Sequence, residues 1–232
     1  MGEPRLELGA MTLPVLVVMS AATGLAVFLA TPAVLRRLPE PIPDTGTDSK
    51  ISYAALATHR FAAVVGMLAT VAVATPGLTL SPTVLPGWLV LATLGLLLAA
   101  IDAATTWLPL PLTRVAWAAM VVATGIGAVL GGWGQLLRGL GGFLVAGAVF
   151  GAVWLISRGG IGFGDVRFAP LVGAATAASS WSLLAWALVL GSLAGALVGL
   201  LRLAVGRGGG FAYAPSILAG AYLAAVVTWL TT

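Results

Sequence analysis

Charged side chains are scarce in this sequence, and cysteine is absent. Eleven basic and seven acidic residues make up 8% of the 232 positions, whereas a soluble domain carries about 25% charged residues. So few charges cannot cover the surface of a soluble domain of this length. The lack of cysteine excludes disulfides, thiolate-bound zinc and thiol nucleophiles. The single histidine, His59, has no second imidazole with which to share a metal ion, so we expect no metal and no other cofactor.

Hydrophobic residues form 60% of the chain and fall in long apolar runs. A membrane-spanning helix needs about 20 mostly apolar residues, and eight stretches approach this length. The sixth is the shortest, so seven spans is the alternative. The predicted spans are 11–35, 61–75, 86–102, 112–130, 140–157, 165–178, 181–205 and 211–230. The sequence therefore predicts an all-α polytopic helical bundle in a lipid bilayer, a single transmembrane domain over 1–232 with a short irregular cytoplasmic loop over 36–60.

The basic residues predict the orientation of this bundle. With the amino terminus outside, nine basic residues lie at the inner loops and helix ends, and only two lie outside. The inner set is Arg36, Arg37, Lys50, Arg60, Arg114, Arg158, Arg167, Arg202 and Arg207, and the outer set is Arg5 and Arg138. Cytoplasmic loops of membrane proteins carry such an excess. The formal net charge of +4 is thus spread over short loops, and no nucleic-acid partner is expected. The sequence gives no indication of an oligomeric state.

Two carboxylates fall within the predicted spans. The other five acids lie in the predicted outer tail and inner loop, and they are Glu3, Glu7, Glu40, Asp44 and Asp48. Asp102 ends the third span and Asp165 begins the sixth, so both belong near the cytoplasmic face. A charged side chain within a spanning helix costs about 2.5–3.5 kcal/mol on insertion scales. Two such residues on one side of the membrane indicate a function.

Packing of the third and sixth spans would bring Asp102 and Asp165 together. Two carboxyls a few ångströms apart in a poorly solvated site hold one proton between them, so one acts as acid and the other as base toward a water molecule. Two alternatives stay open. Each carboxylate caps a helix or pairs with a nearby base, or the two mark the ion or proton pathway of a transporter.

The chain approaches Asp165 through a glycine-rich segment. Its glycines are Gly159, Gly160, Gly162 and Gly164. Because these residues lack side chains, we expect a substrate backbone to approach closely there.

The motifs around both acids resemble those of a known family. Gly162-Phe163-Gly164-Asp165, with Arg167 two residues later, resembles the GxGD signature of intramembrane aspartyl proteases in its prepilin-peptidase form, peptidase family A24. The segment from Asp102 through Leu108-Pro109 to Leu112-Thr113 is similar to the family's first catalytic segment. The segment FAYAPSILAG at 211–220, with Pro215 just inside the last helix, looks like the family's closing segment, and Leu38-Pro39 after Arg37 echoes its Arg-Leu-Pro.

The resemblance implies a multi-pass peptidase of a bacterial or archaeal cytoplasmic membrane. Its substrate would be a type IV pilin-like or secretion-system precursor with a short basic leader and a hydrophobic helix. The peptidase would remove the leader at the cytoplasmic face. By resemblance Asp102 and Asp165 are catalytic. The active-site loop and substrate approach would consist of Gly162, Phe163, Gly164, Arg167, Leu108, Pro109 and Pro215. The chain lacks the family's Cys-x-x-Cys insertion, so this short form is not expected to methylate its product.

Overall fold

The computed structural model describes residues 12–40, 51–158, 160–206 and 211–231, and every regular element in this part of the chain is helical. The α-helices are α1 (Leu13–Arg37), α2 (Tyr53–Leu56), α3 (His59–Thr79), α4 (Leu85–Val90), α5 (Leu96–Thr105), α6 (Leu110–Gly131), α7 (Trp133–Ile156), α8 (Phe163–Ser179), α9 (Trp181–Ala204) and α10 (Ala214–Thr231). The predicted all-α polytopic fold is therefore confirmed.

The third predicted span is a composite helix. A 3₁₀ turn at Pro82–Val84 leads into α4, and a π-helical turn at Leu91–Gly95 joins α4 to α5. Together they form one apolar helical segment over Pro82–Thr105. The π turn contains one residue more than an α-helical turn. It therefore changes by one position which residues of α5, including Asp102, face each neighbouring helix.

Within the described ranges, seven helical segments are long and apolar enough to cross a membrane. This number equals the alternative count from the sequence. The predicted sixth span exists as α8, but with 17 residues it is only about 25 Å long, against about 30 Å for the hydrocarbon core of a bilayer. Protein surrounds it instead of lipid, because Asp165 and the run Phe168–Ala178 are buried. A helix that is buried all round lies in the core of its bundle.

Two cavities mark the two ends of the bundle. One is lined by the end of α5 and the start of α8, and we call this the Asp102 end. The other is lined by the end of α3, the junction of α6 with α7, and the junction of α8 with α9, and we call it the Arg138 end. The short helix α8 therefore extends from one end of the bundle to the other.

Facing glycines allow the helices to pack closely. A Cβ added to Gly24 in α1 would lie 2.7 Å from the carbonyl oxygen of Gly66 in α3, and one added to Gly66 would lie 2.8 Å from that of Gly24. Gly142 in α7 and Gly173 in α8 face each other in the same way, with even less space. Small residues at helix contacts are typical of membrane bundles, where close backbone approach supplies the packing energy.

The predicted irregular loop over 36–60 is partly helical. Helix α1 continues to Arg37, and the single turn of α2 precedes α3. The carboxylate of Glu40 accepts hydrogen bonds of 2.9 Å from the backbone N–H groups of Tyr53 and Ala54, which satisfies two donors at the start of α2. The side chain of Ser52 caps the same turn. Residues 41–50 of the predicted loop lie outside the described ranges.

Candidate active site

Asp102 lies in the last turn of α5 and is 4% exposed. Its Oδ2 accepts a hydrogen bond of 3.2 Å from the backbone N–H of Ala214, the first residue of α10. The first N–H groups of a helix have no partner within the helix. The carboxylate therefore satisfies a donor that α10 leaves free, at the helix end where the dipole favours negative charge.

Asp165 lies in the first turn of α8 and is also 4% exposed. It is the third helical residue after the N-cap, Gly162, and its carboxyl interacts with the backbone N–H of that glycine. This is the reciprocal half of a capping box. A Cβ added to Gly162 would lie 3.2 Å from Oδ2 of Asp165, so a larger residue would crowd the carboxyl.

The two carboxyls meet in one cavity. It has a volume of about 230 Å³ at the Asp102 end, and its lining includes Asp102, Asp165, Thr106, Trp107, Leu108, Gly162, Phe163, Gly164, Arg167 and Phe211. The backbone N–H of Ala214, which donates to Asp102, also interacts with the carboxyl of Asp165. This N–H therefore lies beside both acids. The arrangement places two buried carboxyls around a small open space.

Leu108 and Pro109 connect the two motif segments. A Cβ added to Gly164 would lie 2.9 Å from Cδ1 of Leu108, so Leu108 packs directly on this glycine. Pro109 does not line the cavity but is the N-cap residue of α6, where its carbonyl accepts from the N–H of Thr113. The space beside Gly162 and Gly164, where we expected a substrate backbone, is thus partly taken by Asp165 and Leu108. Gly159 lies outside the described residues.

Arg167 and Phe163 form one wall of the cavity. The guanidinium carbon of Arg167 lies 4.6 Å from the centroid of the Phe163 ring, a cation–π contact. The indole N–H of Trp117 in α6 donates to the carbonyl oxygen of Arg167 at 3.0 Å. Trp154 of α7 packs edge-on against Phe163, with ring centroids 5.2 Å apart. Neighbouring helices therefore hold the first turn of α8 in place.

The sequence did not indicate three contributors to this site. Ala214 acts through a backbone N–H, which leaves no side-chain signal. Tyr53 of α2 is 2% exposed. Burial raises its pKa to about 12, and the negative charges of Glu40 and Asp102 add to this effect. Thr106 ends α5 in the left-handed conformation at φ 57°, and its N–H donates to the carbonyl oxygen of Asp102 at 2.7 Å.

Pro215 lies in a different place from the other predicted site residues. It does not line the cavity that holds the two acids. It lines an apolar groove of about 360 Å³ between α3, α5 and α10. Its neighbour Ala214 is the residue that contacts the carboxyls, so the closing segment of the chain contacts the site and the groove side by side.

These features define a class of protein: a multi-pass helical membrane protein with two buried carboxyls at one end of its bundle. Residues 89–200 match the model of the type IV leader peptidase family, and both acids lie within the matched residues. Over these residues the chain is similar to the type IV leader peptidase family, in agreement with the resemblance of the motifs around Asp102 and Asp165. Comparisons with characterised proteins and with solved structures give no match.

Proposed function

We propose that the chain is an aspartic-type endopeptidase that removes the short basic leader of type IV pilin-like or secretion-system precursors. The observation that carries the proposal is the pair of buried carboxyls, Asp102 and Asp165, which line one cavity. The match to the type IV leader peptidase family supports the class of substrate. No methylation of the product is proposed.

The pair would cleave a peptide bond with a water molecule. Two like charges that line one buried cavity do not both ionise, so the pair holds one proton. The ionised carboxylate takes a proton from water as the water oxygen attacks the peptide carbonyl carbon, and the protonated carboxyl donates to the carbonyl oxygen. The tetrahedral intermediate then breaks its C–N bond as the protonated carboxyl donates its proton to the nitrogen and the other carboxylate takes a proton from a hydroxyl of the intermediate. A carboxyl and an amine result, and the pair again holds one proton.

The arginines support a cytoplasmic position for the cavity. Of the eight arginines in the described ranges, seven lie at the helix ends and connections of the Asp102 end, and only Arg138 lies at the other end. An excess of basic residues marks the cytoplasmic side of membrane proteins. We therefore place the amino terminus outside and the cavity at the inner face. A leader that has stayed in the cytoplasm would reach Asp102 and Asp165 there.

The test replaces each acid by its amide. Asp102→Asn and Asp165→Asn should each lower the rate of leader removal by about 10²–10⁴-fold or more, because each removes a proton acceptor or donor of the reaction. The substrate is a precursor with a short basic leader followed by an apolar helix, reconstituted with the purified protein in lipid vesicles. Leader release is followed by mass spectrometry.

Asp48→Asn is the matched control, since the sequence places Asp48 in the loop between the first two predicted spans. It should cleave at the rate of the unchanged protein. Equal thermal stability of all the variants in detergent excludes misfolding as the cause of a loss. Full cleavage by either cavity variant would rule out the pair. An unchanged protein that cleaves no precursor but conducts ions in a vesicle flux assay would favour the transporter alternative.

A further inference from the structure

An apolar groove lies beside the site, between α3, α5 and α10. It has a volume of about 360 Å³, and it opens on the surface of the bundle. Val71 on its rim is 63% exposed, whereas Leu218 on its floor is 4% exposed. Its lining is almost wholly apolar, and its three helices belong to segments that can cross a membrane, so we expect an apolar occupant.

The lining residues of the groove show the spacing of helix faces. On each of the three helices, four residues line it at positions i, i+3, i+4 and i+7, beginning at Leu68 on α3, at Leu96 on α5 and at Pro215 on α10. Such a set is one face of a helix over two turns, about 10 Å of its length. Three such helix faces around one groove form a binding site for a further helix. Other proteins recognise apolar helices in grooves of this kind.

The groove is continuous with the pair of acids. Ala103, which lines one end of the groove, is the residue after Asp102, and Ala99 lies one turn away on the same helix. On α10, Pro215 lines the groove while the N–H of Ala214 donates to Asp102. From Ala103 to Leu96 the groove leads away from the helix end and toward the middle of the bundle. An apolar helix in it would have one terminus beside the acids.

We propose that this groove binds the apolar helix of the precursor, with the bond to be cleaved at the helix terminus beside Asp102. The inference rests on the proposed function for the identity of the occupant. The basic leader of the precursor, outside the membrane, would lie at the cavity at the helix ends. Its apolar helix, within the membrane, would lie in the groove that leads from this cavity. Small side chains on α5 and α10, among them Ala103 and Ala219, let the bound helix approach the backbones closely.

Disulfide cross-linking tests this binding site, and a chain without cysteine provides a clean background. Single cysteines are introduced by Val71→Cys or Ala219→Cys in the Asp165→Asn protein, which keeps the precursor intact. Ala196→Cys on α9 is the matched control, because Ala196 is also exposed but lies outside the groove. The precursor carries one cysteine in its apolar helix, four residues beyond the cleaved bond in one probe and eight in another.

Cross-links at Val71 and Ala219 in yields well above that at Ala196 support the binding site. Equal yields at all three positions, or none in the groove, overturn it. Leader removal by the unchanged protein is measured in parallel, so the two proposals fail separately. Cleavage without groove cross-links rejects the groove alone, whereas groove cross-links without cleavage by the unchanged protein reject the peptidase activity alone.

A kinetic test uses side-chain bulk. Ala219→Trp fills part of the groove, so we expect KM for the precursor to rise about tenfold while kcat changes little, because ground-state binding is lost and the acids are untouched. Ala196→Trp, the matched change on α9, should leave both values unchanged. An unaltered KM in a folded Ala219→Trp protein contradicts the proposal and indicates that lipid alone fills the groove.

Discussion

At the scale of single residues, Tyr53 is a buried phenol close to the charge of Asp102. Burial raises its pKa from 10.0 to about 12, with smaller contributions from Glu40 and Asp102. The hydroxyl therefore stays protonated at every pH at which a peptidase works. It presents a neutral group to Asp102, and it adds no negative charge to the pair.

The titration of Tyr53 can be measured by the ultraviolet absorbance of tyrosinate. The difference between the unchanged protein and Tyr53→Phe isolates this one phenol, and we expect the difference signal to rise only near pH 12. The pKa of Tyr53 shifts upward because burial disfavours the ionised phenol in the folded protein. Far-ultraviolet circular dichroism over the same range checks that the helices persist. A difference signal centred near pH 10 in the folded protein would contradict the burial of Tyr53 beside the site.

Arg167 provides a second prediction at this scale. Its guanidinium lies over the ring of Phe163, two residues before Asp165. Arg167→Ala should lower kcat/KM for the precursor about 2- to 5-fold, the equivalent of a lost cation–π contact of about 0.5–1 kcal/mol. Arg167→Lys keeps the cation, so this variant should stay within about twofold of the original. A lysine variant as weak as the alanine variant would contradict this and would show that the planar guanidinium is required.

At the scale of helices, the contact between α7 and α8 determines where Asp165 is held. Gly142 and Gly173 leave no room for a side chain between the two backbones. Gly142→Ala should therefore lower the free energy of unfolding by about 1–3 kcal/mol, the usual effect of overpacking. Gly125→Ala is the control, because a Cβ there meets no atom within 4 Å. Thermal unfolding in one detergent compares the two variants, and equal midpoints would contradict the close packing of α7 on α8.

Some helices, and the burial of two acids at one end of the bundle, could be predicted from the sequence for identifiable physical reasons. Asp102 and Asp165 stood out because charge is rare in apolar runs, and the glycines before Asp165 marked the start of α8. The π turn at Leu91–Gly95 has no signal in a uniformly apolar segment. The burial of Tyr53 near Asp102 results from a tertiary contact, and the sequence of its segment predicts only an irregular loop. Pro215 was assigned to the site by its motif, but α10 turns its ring toward the groove.

At the scale of the whole molecule, the orientation in the membrane can be tested directly. Single cysteines at Ser157, between α7 and α8, and at Ser81, between α3 and α4, lie at opposite ends of the bundle. A membrane-impermeant maleimide added to intact cells should label Ser81→Cys, and it should label Ser157→Cys only after the cytoplasmic membrane is opened. The expected sides follow from the distribution of arginines. Labelling of Ser157→Cys in intact cells would reverse the proposed topology.

The one-residue connection between α8 and α9 has a consequence for biogenesis. The first turns of helix α8 contain Asp165 and Arg167, and its 17 residues are too few to cross a bilayer core of about 30 Å, whereas α9 is long and apolar. Only Ser180 separates the two helices. The insertion machinery therefore receives them as a hairpin, in which the apolar α9 favours the entry of its poorly hydrophobic neighbour. Helix α7 is synthesised earlier and is already available to shield α8 from lipid. Because the hairpin depends on the short connection, a flexible linker inserted at Ser180 should lower the yield of inserted protein before it alters any property of the folded protein.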